Sequence, residues 1–127
     1  GFITFAFRAL KAERDGRRLE TRLDAAESVP SWLDTLFALA WRVRPYNKYL
    51  AWELETHPVA LPGCSADNLL PLVERMLDGD SSAVREAFAV VETAARAFDE
   101  RRSESRLGDV IDGWGEDQLA LLRSSSR

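Results

Sequence analysis

The sequence predicts an all-α fold, a helical bundle of about five to seven helices. Through most of the chain, apolar residues recur three or four positions apart, which is the spacing of one face of a helix. No segment alternates apolar and polar residues as a half-buried strand would, and no Asn-Gly hairpin signal is present. Short breaks rich in glycine, proline or aspartate separate the periodic segments, which is typical of a bundle with short connections.

Three helices are predicted in the first part of the chain. The first covers Phe2 to about Arg14, because its apolar residues keep helical spacing until Asp15-Gly16 breaks the pattern. A narrower apolar stripe over Leu19–Val29 predicts a second, amphipathic helix. Ser28 is interpreted as the N-cap of a third helix, with Pro30 in its first turn and its end near Pro45.

Two shorter helices are predicted next. The segment Tyr49–Leu54 predicts a fourth helix, closed by His57-Pro58 because the residue before a proline avoids helical geometry. After a loop, Leu69–Leu77 predicts a fifth helix with Pro71 in its first turn. The segment Asp78–Asp80 is expected to stop this helix.

The last third is predicted to hold one long helix and a short one. Ser81 or Ser82 is expected to cap the sixth helix, whose apolar face continues to Phe98. Residues 99–106 alternate in charge without an apolar member, so this stretch is expected to fray or run into solvent. Residues 110–114 predict a turn that anchors Trp114, and residues 119–122 a last short helix before the serine-rich tail of residues 124–127.

Composition limits the classes of function. Apolar residues make up 46% and charged residues 30% of 127, as in one globular domain. The net charge of -4 provides no overall positive field for nucleic acid, although a local basic patch stays open. Cys64 is the only cysteine, which excludes an internal disulfide and a multi-thiolate zinc site. No apolar stretch approaches the roughly 20 residues that span a membrane, so we expect a cytoplasmic protein.

The densest functional candidate is the segment Arg42–Tyr49, called here the basic corner. It places three cations, two tyrosines and an amide around a proline at a helix junction. Arginine offers a planar fork to an anion, lysine a point charge, and a helix N-terminus its amide donors. The alternative interpretation is a junction with its aromatic residues in the core and its cations in water.

Other candidates favour structural interpretations. The run of cations from Lys11 to Arg22 is interleaved with acids, so surface ion pairs are its usual meaning. Asp78–Asp80 is better explained by a helix stop and a cap than by a metal site. His57 and Cys64 lack companion ligands or an activating base, and neither is assigned a role.

Several segments resemble a known family. The runs Arg22–Ser28, Leu36–Leu39 and Arg42–Leu50 look like the helical C-terminal region of actinobacterial nucleotidyltransferase-domain proteins, distant relatives of aminoglycoside nucleotidyltransferases. Arg8–Lys11 and Val110–Trp114 are similar to further stretches of these proteins, so the resemblance covers most of the chain. The Arg-Pro-Tyr-Asn-Lys-Tyr-Leu run that begins at residue 44 is its most specific part.

The resemblance implies that residues 1–127 are a single helical domain, the C-terminal part of a longer two-domain enzyme. An N-terminal α/β domain, on the same or a separate chain, would carry a Gly-Ser turn and an Asp-x-Asp pair that hold magnesium and a nucleoside triphosphate. This chain has no Gly-Ser turn followed by such a pair, so no catalytic residue, metal ligand or cofactor is assigned to it. The residues implied to face the cleft and bind nucleotide or acceptor are Lys11, Arg44, Tyr46, Asn47 and Lys48.

Two other classes of function stay open. One is a helical protein-interaction or dimerisation module without a catalytic role, and the other is a purely structural bundle. The resemblance favours a domain that closes the cleft and selects an unknown hydroxylated acceptor. Its expected partners are the N-terminal domain, a small-molecule acceptor and a second copy of the chain in a homodimer.

Overall fold

The computed structural model describes residues 1–123 and confirms the all-α prediction. In this range the chain forms seven α-helices and no strand. A short 3-10 turn, Asn47–Tyr49, leads into the third helix. The serine-rich tail predicted for residues 124–127 lies outside the described residues. The helices are α1 (Phe2–Arg14), α2 (Arg18–Leu39), α3 (Leu50–Thr56), α4 (Ala66–Leu77), α5 (Ser81–Arg101), α6 (Arg106–Asp112) and α7 (Glu116–Arg123).

The prediction of separate second and third helices was wrong, because α2 is one helix of 22 residues with Pro30 in its interior. Ser28 does not act as a cap: its hydroxyl donates to the carbonyl of Ala25 at 2.6 Å, as serine does within helices. The helix also ends at Leu39, well before Pro45. Proline inside a helix costs about 3 kcal/mol, and burial of one whole face of α2 outweighs that cost here.

Helices α1 and α2 form an antiparallel hairpin, and α5 packs against both. At the centre of the core, the fully buried Trp32 donates its indole N–H to the carbonyl of Ala87 on α5 at 3.0 Å. Helix α4 packs on α2, α3 and α5, while α7 contacts α1 and α5. One continuous core therefore joins the helices, and α4 covers only part of the outer side of α2.

Two further boundaries differ from the sequence-based expectation. Helix α4 begins at Ala66 rather than Leu69, so Pro71 lies in its second turn instead of its first. Helix α5 is capped by Asp80 and not by either serine, since Oδ1 of Asp80 accepts the N–H of Ser82 at 2.9 Å and that of Ala83 at 3.4 Å. Aspartate and serine are about equally favoured as N-caps, so residue type alone did not identify Asp80 as the cap.

The charged segment after Phe98 contains a buried residue that the pattern concealed. Helix α5 ends at Arg101, and the carboxylate of Asp99 is buried and accepts the N–H of Leu107 at 3.1 Å and that of Gly108 at 2.7 Å. Asp99 thus supplies the N-terminal cap of α6 from another helix. Trp114 packs against the core as predicted, although residues 110–112 belong to α6 rather than to a turn.

Candidate functional site

Arg42 opens the basic corner, and it is fully engaged by the protein. Its guanidinium donates to Oε2 of Glu53 at 2.8 Å and to the carbonyl of His57 at 2.8 Å, and it lies 5.0 Å from the ring centroid of Phe37. These contacts hold the middle and the C-terminal end of α3 against the segment that follows α2. Arg42 is therefore a structural residue whose charge is neutralised by Glu53.

Arg44 is also paired. Its Nε donates to Oδ1 of Asp34 on α2 at 2.6 Å, and its Nη1 donates to Oδ1 of Asn47 at 3.0 Å. The amide oxygen of Asn47 accepts from Arg44. The amide nitrogen of the same Asn47 side chain therefore remains available as a donor. Sequence reasoning missed Asp34, since it lies ten residues from Arg44 on another element and only the turn after α2 brings them together.

Tyr46 and Lys48 are the outward-facing members of the corner. The Tyr46 side chain is 82% exposed, and Nζ of Lys48 lies 5.0 Å from the ring centroid of Tyr49. Lys48 makes no ion pair with the residues that the structure describes. Of the three cations in the corner, only Lys48 thus keeps its charge uncompensated, and the corner is less positive than its composition suggests.

Lys11 lies apart from the other candidates. It is exposed near the end of α1, where the N–H of Arg17 donates to the carbonyl of Ala12 at 2.9 Å and closes the turn into α2. In an antiparallel hairpin this places Lys11 beside the first turns of α2, whereas Asp34 is near the other end, about 20 Å away at about 1.5 Å per residue. One small ligand cannot touch both Lys11 and Arg44.

A cavity of about 330 Å³ adjoins the corner, between α2, the 3-10 turn and α4. Its walls are apolar and include Val29, Leu33 and Val73, while Arg44 and Asn47 supply polar side chains. This volume is at the lower end of the range for small-molecule sites, which combine apolar walls with a few fixed polar groups. The Arg44–Asn47 pair therefore belongs to a concave site rather than to an isolated surface patch.

Pro30 leaves one backbone carbonyl of a cavity-lining residue without its helical donor. Both Pro30 and Ala26 line the cavity, and Pro30 has no N–H to donate to the Ala26 carbonyl one turn earlier. That carbonyl lacks the usual helical donor and can accept a hydrogen bond from a ligand hydroxyl. Pro30, which lies inside α2 rather than at the start of a separate helix, thus forms part of the wall of the candidate site.

Exposed leucines extend from one side of the cavity along α2. Leu19 and Leu23 are 70% and 55% exposed and lie on the same face of α2 as Ala26, at helical spacing. Leu77 on α4 lines the cavity and is 47% exposed. Together these side chains form an apolar rim that continues from the cavity along the outer face of α2.

The remaining candidates have structural explanations. Helix α4 ends at Leu77 and Asp80 caps α5, which agrees with the interpretation of Asp78–Asp80 as a helix stop and a cap. The carbonyls of Asp78 and Gly79 accept from Arg18 at 2.7 and 2.8 Å. Cys64 is buried, and burial raises the pKa of its thiol to about 11. Among residues 1–123, no group of three or more histidine, cysteine or acidic side chains has an arrangement suited to a metal ion.

Comparison with family models, curated proteins and solved structures gives no match. In the part of the chain that the structure describes, none of the helices combines the length and apolar character needed to cross a membrane.

Proposed function

We propose that this chain is the substrate-binding, cleft-closing helical domain of a nucleotidyltransferase, which transfers a nucleotidyl group from a nucleoside triphosphate to a hydroxylated acceptor. The observation that carries the proposal is the apolar cavity whose polar side chains, Arg44 and Asn47, belong to the most specific part of the family resemblance. The magnesium ion, the triphosphate and the catalytic carboxylates are assigned to the N-terminal domain that the resemblance implies.

The electrostatics favour the acceptor over the triphosphate as the ligand of this cavity. Asp34 accepts from Nε of Arg44 across 2.6 Å, so a phosphate group would meet a guanidinium whose charge a carboxylate already compensates. A neutral or cationic molecule with hydroxyl groups meets no such competition. Its hydroxyls can donate to the Ala26 carbonyl and accept from the amide of Asn47, while its apolar part fills the cavity.

Arg44 then acts as a positioning residue. Its two hydrogen bonds fix the Asn47 side chain against α2 and determine which amide atom faces the ligand. Lys48 and Tyr46 lie outside the pair and are placed to contact the part of the ligand that projects towards the catalytic domain. This division of roles assigns Arg44, Tyr46, Asn47 and Lys48 to one acceptor site and leaves Lys11 outside it.

Isothermal titration with a panel of sugars, aminoglycosides and aromatic alcohols tests the acceptor site. Val73→Phe fills the cavity from α4, and the matched control Val90→Phe enlarges a half-buried valine on α5 beside another groove. We expect at least one hydroxylated compound to bind and to lose affinity more than tenfold in Val73→Phe alone. Binding by no compound, or equal loss in both variants, would contradict the acceptor site.

The transferase part needs its own measurement. The natural full-length protein is incubated with radiolabelled nucleoside triphosphates, magnesium and the compound that binds, and labelled product is measured. We expect transfer, with KM for the acceptor raised in Asn47→Ala and KM for the triphosphate unchanged. Absence of transfer by a folded full-length protein would refute the enzyme assignment and leave the cavity as a binding site only.

A second candidate function is a protein-interaction or dimerisation module, favoured by the exposed leucines of the apolar rim. Light scattering after size exclusion measures the mass over a range of concentrations. If the rim is an interface, the mass rises with concentration and Leu23→Glu restores the monomer, whereas Val110→Glu, at a similarly exposed position on α6, does not. A monomer at all concentrations would remove homodimerisation from consideration.

A further inference from the structure

Among residues 1–123, four helices end in the same backbone motif. In each, two successive N–H groups after the helix donate back to carbonyls of its last turn, the Schellman arrangement. The motif requires a positive φ at one residue, which is usually glycine. Two of the four positions hold glycine and two do not: the residues are Gly16, Trp41, Gly79 and Ser103, with φ of 74°, 59°, 75° and 54°.

Tryptophan at the end of α2 is the exceptional choice. The N–H of Trp41 donates to the carbonyl of Ala38 at 3.0 Å and that of Arg42 to the carbonyl of Phe37 at 2.8 Å, so Trp41 has the glycine-favouring conformation. A bulky side chain is disfavoured there relative to glycine. Burial does not compensate, because the Trp41 side chain is 77% exposed.

The indole is nevertheless held in a defined place. Its ring centroid lies 6.0 Å from that of Phe98, with a tilt of 38° between the rings. The guanidinium carbon of Arg102 lies 5.7 Å from the Trp41 ring centroid and 5.4 Å from that of Phe98. The end of α5 thus supports one side of the indole, and the rest of the ring faces solvent.

These residues line a cavity of about 310 Å³ between the ends of α2 and α5, with Ala60 of the loop after α3 on another side. Arg101 also lines it, and its guanidinium makes no hydrogen bond or ion pair with residues 1–123. Arg102, by contrast, is paired with Glu104 at 3.2 Å. The cavity therefore combines an aromatic surface with one uncompensated guanidinium.

We propose that this cavity binds a small molecule in which a planar aromatic ring carries an anionic group, either a carboxylate or a phosphate. The ring packs on the exposed indole of Trp41, and the anion pairs with the guanidinium of Arg101. Such a ligand gives the indole the burial that the protein itself does not provide. This site shares no lining residue with the Arg44–Asn47 cavity, so it is a second site that does not depend on the proposed acceptor.

Titration with matched probes tests the chemistry. Adenosine monophosphate and indole-3-carboxylate carry both a ring and an anion, adenosine and indole carry only the ring, and inorganic phosphate and acetate only the anion. We expect at least one probe with both parts to bind ten times or more tightly than either of its halves. If neither combined probe binds, or if the halves bind as well as the whole, the proposal is refuted.

Trp41→Gly separates binding from folding, because glycine is the preferred residue for this backbone conformation. We expect the variant to keep its thermal midpoint and to weaken binding of the combined probe at least tenfold. Arg101→Gln should weaken binding of the same probe tenfold without affecting the ring-only compound. Trp52→Ala, which removes another exposed tryptophan, is the control and should bind normally. Unchanged affinity in Trp41→Gly or Arg101→Gln would overturn the assignment.

Discussion

Replacing Pro30 by alanine should stabilise the protein, although it removes a residue from the wall of the acceptor cavity. Pro30 is exposed in the middle of a 22-residue helix, where proline costs about 3 kcal/mol relative to alanine. Proline also restricts the unfolded chain, and removing that restriction lowers the free energy of unfolding by about 0.4–1 kcal/mol. The free energy of unfolding should therefore rise by about 2 kcal/mol.

This gain translates into a measurable melting shift. At about 2.1 cal/mol/K per residue, a 127-residue domain has an unfolding entropy of about 0.27 kcal/mol/K near 60 °C, so the midpoint should rise by about 7 °C. Circular dichroism at 222 nm during heating and during urea titration provides the assay. Pro62→Ala is the control, because Pro62 lies in a loop and has no helical hydrogen bond to restore.

An unchanged or lower midpoint in Pro30→Ala would refute the argument, because it would mean that α2 gains more from the rigid ring than it loses at the Ala26 carbonyl. A rise of similar size in Pro62→Ala would refute it too, since the effect would then not depend on the helix. The same variant also bears on function: restoring the N–H at residue 30 occupies the Ala26 carbonyl, so affinity for a hydroxylated ligand should fall while stability increases.

Three further predictions concern buried or paired groups. Burial alone would raise the pKa of Asp80, but hydrogen bonds and charge from Arg75, with backbone N–H groups, lower it below its ordinary value of 3.8. The stabilising contribution of the Asp80 carboxylate is therefore complete above pH 3.8 and is lost as the pH falls through the lower folded pKa. In urea titrations at several pH values, Asp80→Asn should lack this pH-dependent loss of stability. Asp99→Ala leaves two N–H groups of α6 without their acceptor and should cost about 2–3 kcal/mol in urea unfolding, whereas Asp99→Asn, which keeps one acceptor, should cost about half; equal stability of all three proteins would contradict the capping role. With its thiol pKa at about 11, Cys64 should resist a disulfide reagent at pH 8 in the native protein and react in urea, and rapid native reaction would show that it is accessible.

The fold class and most helix positions were predictable because apolar spacing records which face of a helix is buried. Helix α1 was predicted at its observed limits, since Asp15-Gly16 gives an unambiguous end. The division of α2 failed for a physical reason: a local signal of cap and proline was outweighed by packing of Trp32 and Leu36 against other helices. Local rules describe what a segment prefers alone, and long-range burial decided this case.

The candidate site was predictable only in part. Composition indicated the basic corner, and Arg44 and Asn47 do contact each other there. Composition could not show that Arg42 forms an ion pair with Glu53 or that Asp34 neutralises Arg44, because those partners come from other elements. Nor could spacing place Lys11, whose position relative to the corner depends on the course of α1 beside α2.

The packing of α7 against α1 has a consequence for how the molecule opens. Helix α7 has eight residues and fixes itself to the bundle mainly through the buried Leu119 and Leu122. Burial of two leucines is worth about 3–6 kcal/mol, which is less than most of the 5–15 kcal/mol range typical of global unfolding. Detachment of α7 alone is therefore an accessible sub-global opening, during which the face of α1 that contacts α7 meets water while α2 and α5 stay packed. In hydrogen exchange, the amides of α7 should form a separate, faster class from those of the α1–α2–α5 core.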